Sequence, residues 1–249
     1  MVAALDTPAF PSAMAALLRQ VAPFTYTVMF AFKGVAQPLD LFDDFPAAKR
    51  RIFVTDYQAG PFLLDPFYQA ALRPVQPGLY RLKDLAPDRF YQGEYFRNYY
   101  EQTGLAEELG FFVDLAQNTT AVLSLMRAER PFSQREFRDL TEVFPLVAAA
   151  ARRHWANLSQ LFGGSIAPDG VQTRVAQVFG SFGNGILTPR EREVVEHTLK
   201  GHSAEAVGHL LTISPGTVRI HRRNIYAKLR INSQGELFSR FISALVAGA

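Results

Sequence analysis

Residues 214–229 read SPGTVRIHRRNIYAKL. Ser214 has a side-chain oxygen that can accept from an unpaired backbone N–H in the first turn of a helix. Pro215 suits the first helical position, where a missing N–H costs nothing. Val218, His221, Ile225 and Leu229 recur at spacings of three and four, so they share one face. Arg219, Arg222, Arg223 and Lys228 lie wholly or partly off that face. The spacing predicts a helix with one side packed on a small domain and a basic side left over. A helix that enters a DNA groove needs that division.

The flanking residues extend the pattern. Leu187 to Glu193, LTPRERE, holds a Thr-x-x-Glu capping box at Thr188 and Glu191, with Pro189 just inside. Val194, Val195, Thr198 and Leu199 follow, and Gly201 is a left-handed helix stop. Ser203 opens a second helix through Val207, Leu210 and Leu211, and Thr212-Ile213-Ser214 bends into the basic helix. A fourth helix spans Gly235 to Val246, with Leu237, Phe238, Phe241, Ile242 and Leu245 as its apolar positions. Four short helices, two of them joined by a tight turn, describe a helix-turn-helix domain.

This region resembles the LuxR-type helix-turn-helix domain. The resemblance rests on LTPREREVV at 187, Gly201, LLTIS at 210, TVRIHRRNIYAKL at 217 and Ile231-Asn232-Ser233. It covers roughly the last quarter of the chain. One stretch departs: the family usually has Asn-Lys-Glu-Ile-Ala where this chain has Ala204-Glu205-Ala206-Val207-Gly208. The resemblance implies that Arg219 and Arg223 face base edges, where Arg can pair bidentately with guanine. Thr217, Arg222 and Lys228 are the candidates for phosphate contacts, and His221 is a core histidine. The implied partner is double-stranded DNA with a two-fold operator, bound by a homodimer.

Charge agrees. From residue 187 onward there are nine Lys/Arg and five Asp/Glu, a net +4 against +3 for the whole chain. The basic charge therefore sits in the candidate DNA-binding segment, as attraction to phosphate requires.

Before residue 187 the pattern is mixed. Ser12 to Val21 has a helical rhythm, and FTYTVMFAFK at 24–33 alternates as a strand does. Arg50 to Tyr57 reads either as a strand or as a helix end. Asp65-Pro66 opens a helix through Leu72, and Pro87 to Gln102 reads as another, with Tyr91, Tyr95 and Tyr99 at i, i+4 and i+8. Leu109 to Leu115 and Thr120 to Arg127 form a hairpin about Gln117-Asn118-Thr119. Ser133 to Leu161 reads as one long helix opened by a capping box at Ser133 and Glu136. Its Ala148 to Ala151 stripe serves either a dimer contact or the helix's own sheet.

This order implies an α+β fold: an α/β/α sandwich resembling GAF/PAS-like sensor domains, over residues 1–162. A Gly-containing linker follows over 163–186, in which Val171 to Phe179 is a candidate short helix, and the all-α domain occupies 187–249. The order also resembles acyl-homoserine-lactone regulators, which carry a Tyr followed by Asp-Pro, here Tyr57 and Asp65-Pro66. This chain lacks their Trp before that Tyr; its one Trp is Trp155. The candidate ligand-binding residues for a small molecule are Tyr57, Asp65, Tyr95 and Tyr99. Asp-Pro is first of all a helix start, with Asp65 as its cap, and such a Tyr stripe is more often core than pocket lining.

Composition excludes other classes. The chain has no Cys, and its five His all lie at 154 or later, so residues 1–153 carry no Cys–His or Ser–His pair and no His-ligated metal. An enzyme is not expected, nor a cofactor. Asp56 superficially resembles a phosphoacceptor, but no Lys occurs between Lys83 and Lys200 and the βαβα alternation of a receiver is missing. The alternative to ligand control is a regulator that is ligand-independent or phosphorylation-controlled. No apolar run spans a bilayer, and the first residues lack a signal peptide's basic start, which points to the cytoplasm and to no membrane partner.

Overall fold

The computed structural model describes residues 1–34, 36–73, 75–101, 104–162 and 179–247, save the side chains at 99, 159, 246 and 247. Helix α1 (Phe10–Val21) leads into β1 (Tyr26–Phe32) and β2 (Leu39–Asp43). Helix α2 (Ala47–Arg50) continues as a wider π-type turn over Arg51–Asp56, so 50–57 is a helix end and not a strand. Then come α3 (Pro66–Ala71), β3 (Gly78–Arg81), α4 (Leu82–Leu85), β4 (Glu107–Leu115) and β5 (Thr119–Arg127). The five strands form one antiparallel sheet in the order β2-β1-β5-β4-β3. The turn between β4 and β5 places Gln117 and Asn118 at φ +58° and +56°, a geometry Asn tolerates.

Strand alternation assigns the two faces. Val28, Phe30 and Phe32 of β1 join Phe112, Val122 and Met126 on one face, under α3 and the turns around it. Met29 and Ala31 join Leu109, Phe111, Val113, Leu123 and Leu125 on the other, under α1, α5 (Gln134–Glu142) and α6 (Phe144–His154). Helix on sheet on helix is the expected sandwich.

Two expected helices are broken. The 133–161 segment divides at Val143, because Pro145 has no N–H to continue the ladder. Val147, Ala148, Ala150 and Ala151 are buried against the chain's own sheet, while Leu146 and Ala149 stay exposed. The 87–102 segment divides at Gly93, which is extended (φ −79°, ψ 159°), leaving a short turn at Phe90–Gln92 and a π-type turn at Phe96–Tyr100.

The C-terminal helices are α7 (Pro189–Leu199), α8 (Ala204–Leu211), α9 (Pro215–Leu229) and α10 (Gln234–Ala247). The Thr188/Glu191 capping box is present, and Gly201 and Thr212 take left-handed φ of +95° and +55° where α7 and α8 end. Most of the 171–179 helix reading lies outside the described residues. The end of the expected linker is not a spacer: Phe179 stacks on Phe241 at 4.8 Å, and Phe182 meets it edge-on at 5.4 Å.

Candidate nucleic-acid interface and ligand pocket

Helix α9 is built as its sequence implies. The Thr217 N–H donates to Ser214 Oγ at 3.0 Å, and Val218, Ile225 and Leu229 are buried, with His221 half-buried beside them. The turn from α8 closes when the Ile213 N–H donates to the Gly208 carbonyl at 2.9 Å. A Cβ on Gly208 would lie 2.8 Å from the Ile213 carbonyl oxygen, so this chain's departure at 208 fits its tight turn.

The five basic-helix candidates separate. Arg223 is exposed and has no ion-pair partner among the described residues. Arg219 is exposed and pairs with Glu205 of α8 at 2.5 Å. The hydroxyl of Thr217 lies 2.8 Å from that of Ser214, and Arg222 donates to Gln234 Oε1 at 3.1 Å. Lys228 is engaged within the domain. Its ammonium donates to both carboxylate oxygens of Glu191, at 2.8 and 2.7 Å, and Glu191 is buried. Burial works against the Glu191 charge, but Lys228 and Thr188 outweigh it and hold the carboxyl below its usual range. Lys228 thus clamps α9 to the capping box of α7.

The sensor half holds a cavity of about 40 Å³ on the β1–β5–β4 face. Tyr57, Asp65 and Tyr95, three of the four expected ligand residues, line it. Asp65 serves two structural partners at once: it caps α3 by accepting from the Phe67 N–H at 2.9 Å, and it accepts from the Tyr57 hydroxyl at 2.7 Å. Burial raises its pKa to about 6, against those hydrogen bonds, which lower it. The side chain of Tyr99 lies outside the described residues; Tyr100 lines the cavity. The π-type turn brings Tyr100 to this wall: its i→i+5 bonding sets residues five apart on one side, and the Tyr95 and Tyr100 rings meet tilted at 5.9 Å. Tyr91, beyond the Gly93 break, is exposed.

Sequence reading missed Glu108. It is 4% exposed, lines the cavity, and its Oε2 has no hydrogen-bond partner. Burial, with the Asp65 charge adding, raises its pKa to about 8, although hydrogen bonds from Ser124 and Tyr100 pull the other way. The signal was strand parity: Glu108 shares a face with Gly110 and Phe112, and Gly110 pairs with Ser124.

The wall of this cavity also carries the helical domain. Phe90 packs its ring 6.0 Å from Tyr95 and 5.8 Å from Tyr100. On its other side the Arg89 N–H donates to the Gly201 carbonyl at 3.0 Å, and the Ser203 N–H donates to Asp88 Oδ1 at 3.0 Å. Helix α9 keeps its Arg219 and Arg223 face exposed in this arrangement.

Residues 185–241 match the model of the luxR family of bacterial regulatory proteins. An HTH-type transcriptional regulator encoded in the exeN 3′ region of Aeromonas salmonicida is 36% identical over 187 residues, which is 73% of this chain and 95% of that one. The VqsR ligand-binding domain from Pseudomonas aeruginosa superposes with a TM-score of 0.56 at 27% identity, covering 62% of this chain and 90% of that domain. Escherichia coli SdiA stands further off, at 19% identity and a TM-score of 0.41, over 96% of this chain and 92% of that one. With the helix-turn-helix geometry and a relative matched along nearly its whole length, the chain belongs to the LuxR family of bacterial transcriptional regulators.

Proposed function

We propose that the protein is a small-molecule-controlled transcriptional regulator in which residues 1–162 sense, residues 163–186 connect, and residues 187–249 read DNA. The observation that carries this is the shared wall. Residues 90–100 line the cavity through Tyr95 and Tyr100 and support Gly201 through Phe90. A ligand shifts such an equilibrium only if it binds one domain arrangement better than another. An occupant that moves Tyr95 or Tyr100 moves Phe90, and Phe90 abuts the end of α7. The VqsR domain that the sensor half resembles is itself a ligand-binding domain.

On the DNA side, Arg219 and Arg223 are the base readers, with Thr217 and Arg222 at the phosphates. Binding as a homodimer on a two-fold operator supplies the contacts that one short helix lacks. The role is regulatory and not enzymatic, and the site is cytoplasmic, where bacterial DNA lies. Among the described residues no helix is long and apolar enough to cross a membrane.

Selection of duplexes from a random pool by the full chain tests the DNA half. A two-fold consensus supports the reading, and no enrichment over a random pool overturns it. A thermal-shift screen of metabolites against the full chain tests the sensor half, because a ligand of the folded state raises the melting temperature by mass action.

A further inference from the structure

The cavity chemistry narrows the ligand. Asp65 and Glu108 are two carboxyl groups buried against one small cavity, and among the described residues one buried oxygen of Glu108 has no hydrogen-bond partner. Among the described residues no Lys or Arg lies against either group. Such an arrangement repels anions, and a buried acceptor left unpaired is costly. The remaining walls mix aliphatic side chains such as Val28 and Val122 with aromatic rings, among them Phe30, Tyr57 and Tyr95, whose ring quadrupoles can attract a cation. We propose that this pocket takes a small organic cation, a primary ammonium group on a short apolar body, with Asp65 and Glu108 holding the charge and the aromatic rings holding the body. The inference rests on the small-molecule reading above and names the class of ligand.

Size agrees with a short body. At roughly 10–15 Å³ per water by this measure, about 40 Å³ is room for about three waters. An ammonium supplies three N–H donors. One donor completes the Glu108 oxygen that the protein leaves unpaired, while Asp65 keeps the Tyr57 and Phe67 bonds that orient it. A neutral hydroxyl or amide fills the same space without compensating the buried charge of Asp65 or favouring the ionised form of Glu108.

Binding also has a proton signature. The groups facing Glu108 are Asp65, Ser124, Tyr57, Tyr91, Tyr95 and Tyr100. Tyr57, Tyr91 and Tyr100 have phenol pKa values raised further by burial and stay protonated near neutrality. With its pKa near 8, Glu108 is largely protonated in the empty pocket at pH 7, and an arriving cation favours its charged form. Binding then releases a proton from Glu108 to solvent, and affinity rises from pH 6 to pH 8.

The test is calorimetry of n-butylammonium, 1-butanol and butyramide against the full-length protein, in two buffers of different ionisation enthalpy. The expected result is n-butylammonium bound roughly tenfold or more tighter than either neutral compound, as a charge-assisted bond implies, with proton release at pH 7. Glu108→Gln removes the preference, with its melting curve as the check on folding, and Asp65→Asn serves as the second variant. Tighter binding of the neutral compounds overturns the cation and leaves small-molecule control standing. Unchanged ammonium affinity in a folded Glu108→Gln protein also overturns it. If none of the three binds, the cation reading falls, and small-molecule control stands or falls on the metabolite screen.

Discussion

The backbone amide of Arg89 donates to the carbonyl of Gly201 at 3.0 Å, so the two halves of the molecule meet main chain to main chain. Gly201 makes that approach possible. Its φ is +95°, and a Cβ there would stand 2.9 Å from Phe90 Cα. Gly201→Ala is expected to cost about 2 kcal/mol, from the left-handed backbone and the clash together. Hydrogen exchange localises the effect. The Arg89 amide should exchange faster in the variant while the amides of β5 hold their protection. Equal protection at Arg89 in both proteins contradicts the docked arrangement.

The same interface should respond to acid. His202 sits between His197 and Asp88, and burial, with His197 and Lys200 adding, lowers its pKa from 6.5 to about 4. A depressed imidazole leaves the unfolded or undocked chain the better proton acceptor. The stability it contributes is therefore full above about pH 6.5 and is lost as pH falls toward 4. Arg89 amide exchange, corrected for its intrinsic pH dependence, should accelerate across that window. Replacing His202 with Gln should flatten the curve.

Glu108 acts in the opposite sense. Its pKa is raised from 4.5 to about 8, so the folded state holds a proton that the unfolded chain has released. Its contribution is full below about pH 4.5 and declines until about pH 8. The Asp65 pKa, raised to about 6, adds a smaller decline between about 4 and 6. One pKa unit is about 1.4 kcal/mol, so the Glu108 loss is several kcal/mol at most. Denaturant melts of the empty protein should show the decline, and Glu108→Gln should remove most of it. A variant with the parent slope from pH 5 to 8 would falsify the assignment.

Short-range signals made part of this molecule legible. Caps such as Thr188/Glu191 and Ser133/Glu136 act within one turn, and β1 and β5 are apolar runs rich in β-branched and aromatic or long aliphatic residues, buried on both faces. The misses have physical causes. Pro145 and Gly93 each interrupt an apolar rhythm that reads as continuous. The two strands passed over, β2 and β3, are short sheet edges: β2 is part-buried throughout, and β3 alternates over only four residues, with an Arg at one of its two buried positions. Tyr100 went unread because a π-type turn changes the period. Glu108 stands at the first residue pair of a strand, where parity is hardest to fix. The contact of Arg89 with Gly201 joins residues far apart in the chain and leaves no local trace beyond a glycine.

Lys228 gives a prediction that separates structure from DNA contact. Removing its ammonium leaves the Glu191 carboxylate buried beside only the Thr188 donors. An uncompensated buried charge is strongly destabilising; with Lys228 partly exposed, about 2 kcal/mol is the expected loss for Lys228→Ala. Thermal melts should show that loss even without DNA. Parent-like stability with weakened binding to every duplex would return Lys228 to the phosphate role.

Arg219 and Arg223 should behave differently although both are exposed on α9. Arg223 stands ready, and Arg223→Ala should cost roughly 1–3 kcal/mol at its own base pair while leaving random duplexes nearly unaffected. Arg219 must first leave Glu205, whose carboxylate also lies where phosphates would approach α8. An exposed pair is worth at most about 1 kcal/mol, so Glu205→Gln is expected to strengthen binding by a few-fold. The gain should be greater at low salt, because charge repulsion is screened as salt rises. Fluorescence anisotropy at two salt concentrations, on selected and random duplexes, measures both effects. If Glu205→Gln weakens binding instead, Glu205 positions Arg219 for its base, and the pair is part of the reading surface.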